Sequence, residues 1–136
     1  SDFRSSDPSR GGAFFQIQGN ELPNAPSRTL KLAAEYNIPV AGSWSLKPRV
    51  DYYSQTGFWA REFNVAADRV GSWEQLDLQL QVAHDDRDLA LIFFVKNVQN
   101  NDDITFLEVN SNLVGSFRSA FLLDPRVYGV NLRAGF

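Results

Sequence analysis

The sequence predicts an all-β fold, an antiparallel up-and-down meander of about five long strands. Apolar and polar side chains alternate at every second position through several separate stretches, which is the spacing of a strand with one apolar and one polar face. The connections between these stretches are alternately short and long. No apolar run reaches the roughly 18 residues that would predict a membrane helix, so strands carry the prediction.

The predicted strands cover residues 27–38, 43–56, 73–83, 89–98 and 119–136. The third has the clearest alternation, because Gln and Asp residues separate its apolar side chains. The last strand alternates through its final residues and ends on an aromatic side chain. The apolar side chains of these two strands predict one membrane-facing surface, comprising Leu76, Leu78, Leu80, Val82, Tyr128, Val130, Leu132 and Phe136.

The connections predict which side of a membrane each end of the sheet faces. Residues 39–42 and 84–88 are short, polar and rich in turn-forming residues. Residues 57–72 and 99–118 are much longer, and residues 1–26 form a further long, loop-like segment. Outer-membrane barrels have short periplasmic turns and long extracellular loops, so we expect residues 1–26 to be extracellular.

The two faces of the predicted strands differ in the environment that they require. One face carries rows of aliphatic side chains, and the other carries too many charges for a buried core. Because the chain contains no amphipathic helix that could cover the apolar face, we expect that face to contact lipid. Tyr36, Trp44 and Tyr52 are predicted to form the interfacial aromatic belt. The alternative is a soluble all-β binding module that self-associates through this face.

Composition excludes several classes of function. The net charge of −3 is dispersed along the chain, which argues against nucleic acid as a partner. The chain has no Cys, and therefore neither disulfides nor thiolate metal sites. Its one His, His84, is followed by Asp85 and Asp86, which we interpret as a solvated turn. We predict no catalytic residue, no metal site, no cofactor and no enzymatic activity. The chain also lacks Met, so we expect a processed product or a fragment.

The long connection at residues 57–72 contains the best candidates for contact with a ligand. Phe58, Trp59 and Arg61 bring two aromatic rings and a guanidinium close together in the sequence. Aromatic and Arg side chains are frequent at recognition surfaces. Packing of the loop on itself, or membership of the outer aromatic belt, is the alternative interpretation.

Five segments together resemble one known family. They are GNELPNAPSRT at 19–29, VDYYSQTGFWAREFN at 50–64, SWEQLDLQL at 72–80, FVKNVQNNDDIT at 94–105 and DPRVYGVNLRAGF at 124–136. In order and spacing they resemble the C-terminal end of TonB-dependent outer-membrane receptors. The resemblance implies that the chain forms the last strands of a 22-stranded transmembrane barrel. The chain departs from the family at Ala134, where an aromatic is common.

The resemblance also implies a function and a set of partners. The family takes up scarce nutrients, such as siderophores, vitamins or glycans, across the outer membrane of Gram-negative bacteria. The expected partners are outer-membrane lipid, the rest of the barrel, and the barrel-assembly machinery, which would recognise the C-terminal strand. A plug domain and a segment that touches the inner-membrane energising complex belong to the family's N-terminal part. Nothing in this sequence matches either of them.

Overall fold

The computed structural model describes residues 3–110, 112–115 and 117–135. The strands are β1 (Arg4–Asp7), β2 (Ala13–Gln16), β3 (Thr29–Glu35), β4 (Ile38–Val40), β5 (Trp44–Gln55), β6 (Phe58–Trp59), β7 (Arg69–Val70), β8 (Trp73–His84), β9 (Leu89–Lys96), β10 (Ile104–Val109), β11 (Arg118–Leu122) and β12 (Val127–Ala134). Short 3-10 turns occupy Pro8–Arg10, Ala66–Asp68, Asp85–Arg87 and Asn112–Val114. The prediction of an all-β, antiparallel fold is confirmed. Among the described residues, no helix is long and apolar enough to span a membrane.

The chain divides into two compact units. The first, which we call the loop unit, comprises Ser1–Thr29, Gln55–Trp73 and Asp103–Leu123. The second, which we call the sheet unit, comprises Leu30–Ser54, Glu74–Asp102 and Asp124–Phe136. Each unit is therefore assembled from three separate stretches of the chain.

The sheet unit is a meander in the order β12-β9-β8-β5-β3, with β4 also paired to β5. Strands β8, β9 and β12 are antiparallel and in continuous register, so that Leu80, Phe93 and Val130 lie side by side. Because side chains alternate between the faces of a strand, this register places the apolar rows of the three strands on one face of the sheet.

The first predicted turn, at residues 39–42, is displaced in the structure. Pro39 and Val40 belong to β4 and pair with Ser45 and Trp44. The chain reverses in the residues that follow, where Gly42 and Ser43 have φ values of 71° and 62°. Strands β3 and β4 lie at the edge of the sheet, where a proline sacrifices no ladder hydrogen bond. The proline was therefore a poor signal for the end of a strand at this position.

The prediction of a single strand over residues 119–136 was wrong. Residues up to Leu122 belong to β11, which pairs with β10 in the loop unit. The chain then leaves the strand conformation until Val127, where β12 begins and pairs with β9. Pro125 lies in this interval and cannot donate a backbone hydrogen bond, which is consistent with a break between two strands.

The long connections, which were predicted to be loops, contain short paired strands. In the loop unit, β1 pairs with β2, β6 pairs with β7, and β10 pairs with β11, each antiparallel. Phe58, Val70 and Leu107 form a small buried core, against which Ala60 packs. Strands of two residues are too short to show a period, so the sequence pattern could not reveal β6 and β7.

Candidate functional site

The candidate site is the apolar face of the sheet unit. Across β8, β9 and β12, Leu78, Val95 and Tyr128 form one row of neighbouring side chains. Val82, Leu91 and Leu132 form another row four residue pairs further along. Most of the membrane-facing residues predicted from the sequence therefore share one continuous face.

The apolar side chains on this face are exposed. The exposed fraction is 42% for Leu78, 70% for Leu132 and 78% for Tyr128. Leu80 and Val130 are also exposed, whereas Leu76 and Val82 are half-buried. Phe136, which was predicted to complete this surface, lies outside the described residues. An exposed apolar surface that extends over neighbouring strands marks a site of contact with a membrane or another protein.

A groove of about 940 Å³ crosses this face. It is lined by residues of β3, β5, β8, β9 and β12 and by Tyr36, which follows β3. The lining side chains that belong to the apolar rows are Ala34, Tyr36, Pro48, Val50, Leu78, Leu80, Phe93, Val95, Tyr128 and Val130. The groove is therefore a mainly apolar depression that spans the width of the sheet.

The opposite face of the sheet unit carries charged side chains together with Ile92 and Phe94 of β9, and two of its carboxylates have local partners. Arg49 donates two hydrogen bonds of 2.7 Å to the carboxylate of Asp51 and lies 3.6 Å from Glu35. Asp77 accepts hydrogen bonds from the Gln75 side chain and from the backbone N–H of Asn97. Asp51 and Asp77 therefore have partners within the chain, on the face that the alternation predicts to be polar.

The three residues predicted to form the aromatic belt have different surroundings. Tyr36 is 71% exposed at the edge of the sheet. The ring of Trp44 packs edge-on against His84, with 4.9 Å between ring centroids. The hydroxyl of Tyr52 donates a hydrogen bond of 2.6 Å to Glu74. All three belong to the sheet unit, and their contact with a membrane interface remains a prediction.

The predicted ligand-contact residues lie in the loop unit, where each has partners within the chain. Phe58 is buried in the core of the unit. The ring of Trp59 is covered by the guanidinium of Arg69, whose carbon lies 4.8 Å from the ring centroid. Arg61 is ion-paired with Asp7 and Asp68. The structure thus brings the three residues into one region, and their role in binding a ligand remains a prediction.

A buried charge network in the loop unit was not anticipated from the sequence. Asp68 is fully buried, and its carboxylate accepts hydrogen bonds from Arg61 at 2.7 Å and Arg118 at 2.8 Å. Arg61 also donates to the buried Asp7 at 3.1 Å. The network joins three distant stretches of the chain. The only signal in the sequence was a set of charged residues inside segments that looked like loops.

Asp85 and Asp86, which follow His84, both have hydrogen-bond partners within the chain. Ser45 and Ser43 donate hydroxyl hydrogen bonds to Asp85 and Asp86. Among the residues that the structure describes, no group of His, Cys, Asp or Glu side chains is arranged to hold a metal ion. The predicted turn is confirmed for Asp85–Arg87, which form a 3-10 turn, whereas His84 is the last residue of β8 and is half-buried.

Comparison of the chain with protein-family models, with curated proteins and with solved structures finds no match. Its function is therefore argued from its own sequence and geometry.

Proposed function

We propose that this chain is a membrane-facing part of the β-barrel of a TonB-dependent outer-membrane receptor, a transporter rather than an enzyme. The observation that carries the proposal is the exposed apolar face of the sheet unit, with charged side chains on the opposite face. Strands of outer-membrane barrels alternate in this way, because one side contacts lipid and the other contacts water or protein.

The proposal includes a role and a location. The chain contributes the C-terminal barrel strands of a receptor that takes up a siderophore, vitamin or glycan across the outer membrane of a Gram-negative bacterium. The plug domain and the contact with the inner-membrane energising complex belong to other parts of that receptor. The loop unit, which contains the long connections, then lies on the extracellular side.

Two adjacent positions on β8 provide a matched test. Leu78 lies on the apolar face, whereas Gln79 lies on the opposite face of the same strand. Leu78→Arg places a charge in hydrocarbon at a cost of about 2–4 kcal/mol near the bilayer midplane, so it is expected to block assembly in the outer membrane. Gln79→Arg is expected to be tolerated. Each variant is made in the full-length product of the gene. The amount of membrane-inserted protein is then measured from the heat-dependent change in its electrophoretic mobility. Equal assembly of the two variants would refute the lipid-facing assignment.

The groove favours a second candidate, a soluble all-β binding module that self-associates through the same face. A mainly apolar depression of about 940 Å³ in water would be filled favourably by the side chains of a second copy. Sedimentation of the chain in detergent-free buffer separates the two candidates. A discrete, folded oligomer that leaves the groove inaccessible to an apolar dye supports this module, and precipitation that detergent prevents supports the barrel segment.

A further inference from the structure

The hairpin formed by β10 and β11 in the loop unit carries a further inference. Its strands pair antiparallel from Val109 opposite Arg118 to Ile104 opposite Leu122, with an irregularity between Ile104 and Phe106. The rings of Phe106 and Phe121 contact each other across the two strands, with centroids 5.8 Å apart. We call the strands β10 and β11 the flap. They are held together by their own cross-strand contacts.

One contact that joins the flap to the rest of the loop unit is apolar. Leu107 projects from β10 into the buried cluster with Phe58 and Val70. Val70 is 1% exposed and Phe58 is 4% exposed. The flap therefore helps to cover a surface that includes one of the predicted ligand-contact residues.

Another contact is an ion pair. The Nε of Arg118 lies 2.8 Å from one carboxylate oxygen of Asp68, while Arg61 occupies the other oxygen. The side chain of Arg118 is 36% exposed, compared with 16% for Arg61. When Arg118 leaves, Asp68 keeps its ion pair with Arg61, and Asp7 keeps Arg61 together with Arg10, which lies 3.8 Å away. Arg118 itself is already partly hydrated. The contact can therefore break without leaving an uncompensated buried charge, which is the usual obstacle to opening such a site.

The N-terminal part of the loop unit is attached to the same central segment in a different manner. Asp7, which is 1% exposed, binds Arg61 deep in the network. The backbone N–H of Asn24 donates to the carbonyl of Trp59 at 2.8 Å. The side chain of Asn64 exchanges hydrogen bonds with the backbone of Glu21 at 2.7 and 3.2 Å. The N-terminal part is therefore linked to the central segment by backbone hydrogen bonds as well as by an ion pair.

We propose that the flap is a hinged cover, closed in this structure and latched by the Arg118–Asp68 ion pair. Opening withdraws Leu107 and Arg118 together and uncovers Phe58 and Val70, while the Asp7–Arg61–Asp68 part of the network stays assembled. The flap then controls access to Phe58, one of the three predicted ligand-contact residues. This proposal does not depend on whether the sheet unit contacts lipid.

Because the natural chain contains no Cys, a single engineered thiol reports on opening without background. In the full chain carrying Val70→Cys, the rate of maleimide labelling measures how often the flap uncovers the core. Adding Arg118→Gln is expected to raise that rate by roughly 10- to 100-fold, the factor that corresponds to losing one charge-assisted hydrogen bond. Arg118→Lys, which keeps a charge at the site, is expected to fall between the two. Arg28→Gln removes the same charge from an exposed position of the loop unit and is the matched control.

Hydrogen exchange on the same variants separates a flap from general loosening. With Arg118→Gln, protection is expected to fall in β10 and β11 while β1 and β2 keep theirs. Unchanged labelling at position 70 would overturn the proposal. A simultaneous loss of protection in β1, β2, β10 and β11 would also overturn it, because Arg118 would then support the whole unit rather than latch one hairpin.

Discussion

The ring of Phe94 occupies the space that a side chain at position 129 would need. The two residues are directly opposite each other in the β9–β12 pair. A Cβ built on Gly129 would lie 2.6 Å from the Cζ atom of Phe94 and 3.0 Å from its Cε1 atom. An aromatic ring that lies over a cross-strand glycine shields backbone that the glycine leaves bare. This pair therefore helps to fix the register of β12, the strand that contributes Tyr128, Val130 and Leu132 to the apolar face.

We expect Gly129→Ala to destabilise the chain by about 1–3 kcal/mol, the usual cost of overpacking. The added methyl group must displace the Phe94 ring, and it should be accommodated better when that ring is removed. Urea unfolding of Gly129→Ala, Phe94→Leu and the double variant measures this coupling. Gly71→Ala is the control, because a Cβ at Gly71 would meet no atom within 4 Å. Additive free-energy changes for the two substitutions would show that the pair is not coupled.

Asn97 supports a second prediction, because its side chain joins the end of β9 to the start of β12. It is 1% exposed and has a φ of 49°, in the left-handed region that Asn tolerates better than most residues. Its Nδ2 group donates to the carbonyl oxygens of Asn101 and Asp124, at 2.8 Å each. Its Oδ1 atom accepts a hydrogen bond of 3.0 Å from the backbone N–H of Asn101.

Asn97→Ala should therefore lose both the side-chain hydrogen bonds and the favourable backbone conformation. Each unsatisfied buried group costs about 1–3 kcal/mol, so the total loss should exceed 2 kcal/mol. Asn97→Gly loses the same hydrogen bonds but relieves the backbone, and should be less destabilising than Asn97→Ala. Unfolding midpoints in urea test this order. Asn100→Ala, at an exposed position with a φ of 57°, serves as the comparison and should cost less than Asn97→Ala.

The strands with long alternating stretches are the ones that the sequence predicts most accurately. The observed β5 is one residue shorter at each end than the predicted stretch 43–56, and β8 is one residue longer at its C-terminal end than the predicted stretch 73–83. Such strands are long enough for a period of two to be unambiguous. The end of β9 was predicted less well, because Asn97 leaves the strand through a positive φ that its neighbours in the sequence do not indicate.

The strands of the loop unit could not be predicted from the sequence, and the physical reason is different. Its strands are short, and its stability depends on contacts between residues far apart in the chain. Arg118 and Asp68 are separated by 50 positions, and Arg61 and Asp7 by 54. A single sequence carries no pattern that pairs such residues, whereas a strand reveals its face through its immediate neighbours. The same argument explains why the sequence offered packing of the loop on itself only as an alternative, whereas the structure buries Phe58 against Val70 and Leu107.

The buried network leads to a third prediction, on the unequal weight of its two arginines. Arg61 contacts both buried carboxylates, whereas Arg118 contacts only Asp68 among the described ion pairs. Removing Arg61 leaves Asp7 and Asp68 less compensated, so Arg61→Gln should cost about 3–5 kcal/mol. Arg118→Gln should cost less, because Asp68 keeps its ion pair with Arg61 and Asp7 keeps those with Arg61 and Arg10. Urea unfolding measures both variants, with Asp102→Asn as a control at an exposed carboxylate. Equal losses for the two arginines would contradict this division of roles.

The last prediction concerns what covers the apolar face of the sheet unit. The chain has three tryptophans, and Trp44 lies on β5 in the sheet unit while Trp59 lies on β6 in the loop unit. If the apolar face contacts lipid, Trp44 should lie in or near the hydrocarbon and Trp59 should lie outside it. Single-tryptophan variants that retain one of these residues can be reconstituted into vesicles whose acyl chains are brominated, because bromine quenches indole fluorescence at short range. We expect strong quenching of Trp44 and weak quenching of Trp59. Equal and weak quenching of both would remove lipid as the occupant of this face and would favour a second copy of the chain. In that case, raising the concentration of the Trp44 variant in detergent-free buffer should shield Trp44 from water.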